Sequence, residues 1–161
     1  MTLVSVVIPA YGHAHFLKQT IDSILAQTWQ DYEIIVVDDG SPDDTHAVAA
    51  QYGTAIHYIP QENQGMAAAR NRGIREANGD LISFLDDDDL WLPEYLATVV
   101  PHFEADADLA ALHTGHQLTS DQDGQDFPSG GTWTVPSGEL YETLIENGFF
   151  PPCCVAAWAF R

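Results

Sequence analysis

The chain has 161 residues, 45% of them hydrophobic and 18% charged, enough for one compact domain with its own core. Five Lys and Arg stand against 24 Asp and Glu, a formal net charge of −19 at pH 7. Such a surface argues against nucleic acid or anionic membrane as partner, and it repels an anionic substrate unless a metal or a local Arg compensates. The acid excess also fits a high-salt habitat, where self-repulsion is screened. Cys153 and Cys154 are adjacent and close no loop, so the sequence predicts no disulfide framework and a reducing, cytoplasmic setting, with attachment to the inner face of a membrane left open. The apolar start, residues 3–10, is too short to span a bilayer and lacks a basic leader and a cleavage site.

Val4 to Ile8 is a continuous β-branched run ending at Pro9, the pattern of a parallel strand buried on both faces. After a turn at Tyr11-Gly12, Phe16, Leu17, Ile21, Ile24 and Leu25 fall at helical spacing within residues 15–28. A second strand over residues 33–37 ends in Asp38-Asp39. Ser41-Pro42-Asp43-Asp44 reads as a helix start, with Ser41 as cap, Pro42 at the first helical position and the acids on the positive end of the dipole; Gly53 stops that helix. Residues 55–59 alternate as a third strand. Residues 65–77 form a helix of small residues carrying Arg70, Arg72 and Arg75, closed by Asn78-Gly79. A fourth strand, residues 81–85, leads into Asp86, Asp87, Asp88 and Asp89, and a helix follows over residues 93–103.

Strand and helix alternating four times predict an α/β fold, an open and mostly parallel twisted sheet flanked by helices. Residues 109–113 read as a fifth strand, residues 119–131 as a polar loop, residues 138–146 as a short helix, and residues 149–161 as an apolar strand-like run. A domain seldom stops inside such a run. The sequence therefore predicts a single domain truncated at its C-terminus.

In a parallel sheet the carboxyl ends of the strands share one edge, where ligands bind in open α/β folds. Pro9-Ala10-Tyr11, Asp38-Asp39-Gly40-Ser41 and the four aspartates all fall there. Taken alone, the aspartate run is either a solvated acidic loop or a cation site, since clustered carboxylates raise one another's ionisation cost and a hard cation reverses it. An aromatic face, a carboxylate and a cation cluster on one edge are together what a nucleotide diphosphate needs. A Gly-rich phosphate loop is missing after the first strand, and the contiguous acids do not have EF-hand spacing.

These segments resemble the successive motifs of the family 2 glycosyltransferases: residues 4–11, Val36-Val37-Asp38-Asp39-Gly40-Ser41, Asn63-Gln64-Gly65 through Ala69-Arg70-Asn71-Arg72-Gly73-Ile74, and Phe84-Leu85 with the aspartates and Leu90-Trp91. The resemblance covers residues 3–100 closely and 149–161 more loosely. It implies the GT-A fold, with residues 1–105 binding nucleotide and 106–161 beginning an acceptor-binding part. It implies an inverting enzyme of polysaccharide or glycoconjugate synthesis that moves a sugar from a nucleotide-diphosphate donor, UDP first among them, to a saccharide or glycoconjugate hydroxyl with Mn²⁺ or Mg²⁺. Pro9, Ala10 and Tyr11 would then line the base site, with Tyr11 stacking. Asp39 would accept from the base and Arg70 would contact the nucleotide. Asp86 and Asp87 would approach ribose or sugar, and Asp88, with Asp86, would bind metal as the family's D-x-D. Asp87 takes the middle position, which is often small and neutral, and this leaves open which neighbour of Asp88 matters. The family's general base follows the strand that residues 150–161 resemble, so it is expected beyond Arg161. The competing reading is a noncatalytic nucleotide- or metal-binding module of the same fold.

Overall fold

The computed structural model describes residues 1–114, 118–119, 126–127 and 158–160. The elements are β1 (Val4–Ala10), α1 (Ala14–Leu25), β2 (Tyr32–Asp38), α2 (Thr45–Ala50), β3 (His57–Pro60), α3 (Met66–Glu76), β4 (Leu81–Phe84), α4 (Tyr95–Ala105), β5 (Ala111–His113), β6 (Leu118–Thr119), β7 (Asp126–Phe127) and β8 (Trp158–Phe160). Six strands form one sheet in the order β3-β2-β1-β4-β8-β5, and β6 and β7 pair separately. β1, β2, β3 and β4 run parallel, whereas β8 lies antiparallel between β4 and β5.

Every residue of β1 is buried, because helices cover both faces of the sheet. Alternate side chains go to opposite faces. Val4, Val6 and Ile8, with Ile34 and Val36 of β2, pack with Leu17, Ile21 and Ile24 of α1 and with Leu96, Val99, Val100 and Phe103 of α4. Val7, Ile35 and Val37 face the other way, toward Ile59, Phe84 and Ala69 of α3. α3 lies so close to β1 that a Cβ on Gly73 would sit 2.2 Å from Val7 Cγ1. Only glycine permits that approach.

The parallel register aligns Ala10 with Asp38, Asp38 with Pro60, and Val7 with Phe84. The turns that follow these strands therefore gather on one edge. The starts of α2 and β3 differ from the sequence expectation. α2 begins at Thr45: Ser41 Oγ accepts from Gly12 N at 3.2 Å, while Asp43 Oδ1 accepts from Thr45 N at 3.2 Å and Thr45 Oγ1 at 2.6 Å, and its Oδ2 accepts from Ala14 N at 2.9 Å. Residues 53–55 form a 3-10 turn, which delays β3 to His57. The loop expected at 119–131 and the helix at 138–146 lie almost wholly outside the described residues, as does most of the run 149–161. Among the described residues no helix is long and apolar enough to cross a membrane.

Candidate functional site

A cleft of about 420 Å³ opens at the carboxyl edge of β1, β2 and β4. Pro9, Ala10, Tyr11, Asp39 and Asp87 line it together with His13, Asn63, Gly65, Met66 and Ala69. Five of the residues singled out in the sequence thus share one cavity. Arg70, Asp86 and Asp88 are close in chain or space but do not line it.

Tyr11 follows β1 at the mouth of the turn, and the residue is 51% exposed. A half-exposed aromatic at the rim of the cleft offers a face to a ligand. Its backbone N–H donates to Asp87 Oδ2 at 2.9 Å, tying the turn after β1 to the turn after β4. Asp39 is 3% exposed and heavily engaged. Its Oδ1 accepts from Gln61 Nε2 at 2.7 Å and from Gln64 N at 2.9 Å, and its Oδ2 accepts from Gly65 N at 2.8 Å. Burial pushes its pKa up, but these three donors outweigh burial and hold it below the usual value. A carboxylate has about four acceptor positions, so one remains for a ligand. Asp38 points away: its Oδ1 accepts from Ser41 N at 2.8 Å and its Oδ2 from the Tyr58 hydroxyl.

The aspartate run divides by environment. Asp87 is buried, with Oδ1 2.9 Å from His13 Nδ1. Burial raises the Asp87 pKa despite the hydrogen bonds from His13 and Tyr11. The His13 pKa is raised too, first by the hydrogen bond to Asp87 and further by the charges of Asp87, Asp88 and Asp43, with burial opposing. Asp86 Oδ1 accepts from Arg70 Nη2 at 2.7 Å, and the guanidinium carbon stands 6.0 Å from the centre of the Phe84 ring. Asp89 N closes a turn onto Asp86 O at 3.1 Å. Asp88 is exposed.

Ligand atoms of His13, Asp87 and Asp88 lie within 4.8 Å of one another. Two carboxylates and an imidazole are a donor set that a divalent cation of the Mn²⁺ kind accepts, and Asp88 points outward, where further oxygens could join. The cluster takes in Asp88 and leaves out Asp86, which is engaged by Arg70. His13 could approach a diphosphate on the sequence alone, but seven scattered histidines without metal spacing gave no reason to count it as a ligand. Its only signal was its place two residues beyond Tyr11 in the turn after β1, which proves to be the neighbour of β4.

An open sheet with β1 at its centre, helices on both faces and an acidic cleft at the carboxyl edge is the GT-A type of transferase. The chain belongs to glycosyl transferase family 2, whose model matches residues 5–157. An uncharacterized glycosyltransferase of Nostoc is 34% identical over 92% of this chain and 53% of its own length. Another from Rickettsia typhi is 47% identical over 56% of this chain and 29% of its own length, so the chain spans about half or less of these relatives. Among solved structures, the mannosyltransferase PcManGT of Pyrobaculum calidifontis, in complex with GDP-Man and Mn²⁺, is 27% identical with a TM-score of 0.63, over 76% of this chain and 37% of that one.

Proposed function

We propose that the chain forms the donor-binding part of an inverting glycosyltransferase, which moves a sugar from a nucleotide diphosphate to an acceptor hydroxyl with the help of Mn²⁺ or Mg²⁺. The observation that carries this reading is the joining of an exposed aromatic, a buried ionised carboxylate and, through His13 and Asp87, a His-Asp-Asp cluster at one cleft. Tyr11 offers its ring to the base, and Pro9 and Ala10 form the floor beside it. Asp39, kept ionised by its three donors, has one acceptor position for an N–H of the base; uracil and guanine both present such a donor.

His13, Asp87 and Asp88 would hold the cation. When bound, it supplies positive charge to the diphosphate as that group departs. The need is general to this molecule, because a chain of net charge −19 otherwise repels an anionic donor. Arg70 adds a fixed positive charge and keeps Asp86 oriented. The family membership and the GDP-Man and Mn²⁺ bound by the similar mannosyltransferase support the same reading.

Thermal unfolding with UDP-, GDP- and dTDP-sugars, each with and without Mn²⁺, tests it. A ligand at a hundred times its Kd stabilises by about 2.7 kcal/mol. At roughly 2–4 °C per kcal/mol for a domain of this size, the midpoint should rise by about 5–10 °C. One nucleotide should do so with Mn²⁺ and far less without it, with UDP-sugars the first to try. No rise with any donor in the presence of Mn²⁺ would overturn the proposal. Strong donor binding without sugar transfer by the full-length protein would instead favour a noncatalytic module.

A further inference from the structure

The aspartate turn is held by a polar stripe on the buried side of α1. Thr20, Ser23 and the following Gln27 lie three and four residues apart, on one face of the helix. Thr20 is fully buried and Gln27 is 2% exposed. Thr20 Oγ1 donates to the backbone carbonyl of Asp87 at 3.0 Å. Ser23 Oγ accepts from Trp91 N at 3.2 Å while donating to Thr20 O at 2.7 Å. Gln27 Nε2 donates to Leu92 O at 2.8 Å and to Ser23 O at 3.1 Å, and its Oε1 accepts from Leu96 N at 2.9 Å.

An apolar stripe here would add to the core next to Leu17, Ile21 and Ile24 without the cost of burying polar groups. What the polar stripe provides is a fixed course for residues 87–96. That segment opens with adjacent carboxylates that repel one another. Without external anchors the repulsion spreads the turn, and a cation must then order it at the expense of affinity. Asp87 is gripped twice, by its side chain through Tyr11 N and His13 and by its carbonyl through Thr20.

We infer that Thr20, Ser23 and Gln27 are positioning residues, which preorganise Asp87 and Asp88 and thereby set the affinity for the divalent cation. The inference rests on the cation reading of the cluster given above. Groups that orient metal ligands typically contribute 10–100-fold to metal affinity. The test is Mn²⁺ titrated into the chain, with free ion counted by electron paramagnetic resonance, beside UDP binding measured in EDTA. Thr20→Val keeps the side-chain shape and removes the donor; it should weaken Mn²⁺ about tenfold or more and leave metal-free UDP binding within about twofold. Thr20→Ser restores the hydroxyl and should restore Mn²⁺ affinity. Ser23→Ala, at a half-buried position with a better helix former, should fold in any case and weaken Mn²⁺ several-fold. Unchanged Mn²⁺ affinity in Ser23→Ala and in folded Thr20→Val overturns the positioning role, as does a parallel loss of metal-free UDP binding. A wild-type chain that takes up no Mn²⁺ overturns the cation reading itself, and this inference with it.

Discussion

Gly73→Ala would place a methyl where α3 meets β1. The new Cβ would stand 2.2 Å from Val7 Cγ1, 3.0 Å from Cγ2 and 3.2 Å from Cβ, against the 3.4 Å at which ordinary contact begins. Val7 cannot swing aside, since it is fully buried and β-branched on a central strand. Relief of the deficit of about 1.2 Å must come from lifting α3 or from forcing a strained rotamer. Overpacking of this kind costs about 1–3 kcal/mol, and the gain of Ala over Gly in a helix returns about 1 kcal/mol. A net loss of up to about 2 kcal/mol remains, or up to about 8 °C in the thermal midpoint. Urea unfolding with a double-mutant cycle checks the cause. Val7→Ala opens space for the methyl, so the double variant should be more stable than the sum of the singles by about 1 kcal/mol or more. A Gly73→Ala variant more stable than wild type, or a strictly additive cycle, would refute the packing account. Because α3 begins beside the Asp39 contact at Gly65 and carries Arg70, Gly73→Ala should also weaken donor binding.

Asp39 gives a pH signature. Its folded pKa lies below its ordinary value near 3.8, so its contribution is present above that value and is lost as pH falls through the lower, folded one. Asp39→Asn should cost about 1–3 kcal/mol near neutrality, by setting an amide N–H against the Gln64 or Gly65 donors. The difference in urea midpoint from wild type should shrink below about pH 4. Asp88→Ala, at an exposed position, should abolish the Mn²⁺ dependence of nucleotide binding in calorimetry while changing stability by less than about 0.5 kcal/mol. Tyr11→Ala should weaken nucleotide binding by about 1–3 kcal/mol, a typical value for a base-stacking ring, and leave Mn²⁺ affinity untouched because the backbone N–H to Asp87 is retained.

Much of the parallel half of the sheet was legible because β-branched runs between acidic or glycine turns have few other uses. Val4 to Ile8, Ile34 to Val37 and Leu81 to Phe84 all became strands. The start of α2 was misread for a specific reason. Ser41 has cap chemistry, yet its hydroxyl serves Gly12 N, and Asp43 divides its two oxygens between Thr45 at the helix start and Ala14 N, both distant donors lying about thirty residues earlier in the chain. Local pattern cannot reveal a partner that far away. The direction of β8 was hidden likewise, since an apolar run says nothing of which neighbours it pairs or which way it points. In the site, Tyr11, Asp39 and Asp87 could be gathered from the rule that strand ends share an edge. His13 and the Thr20 stripe could not, because both depend on β1 lying next to β4 and on α1 lying under the turn that follows. Reading α1 by its apolar residues alone also counted Leu25 toward the buried face, where it is 40% exposed.

The carboxylate of Asp87 touches both halves of the cleft, the Tyr11 turn through Oδ2 and the His13 imidazole through Oδ1. On the proposed function, base and cation then report on the same rigid group. Thermodynamic reciprocity requires that whatever factor the cation adds to nucleotide affinity, the nucleotide adds to cation affinity. The enzyme would therefore hold its metal loosely between turnovers and tightly only while a donor is in place, which makes the cation a companion of the substrate more than a fixture of the protein.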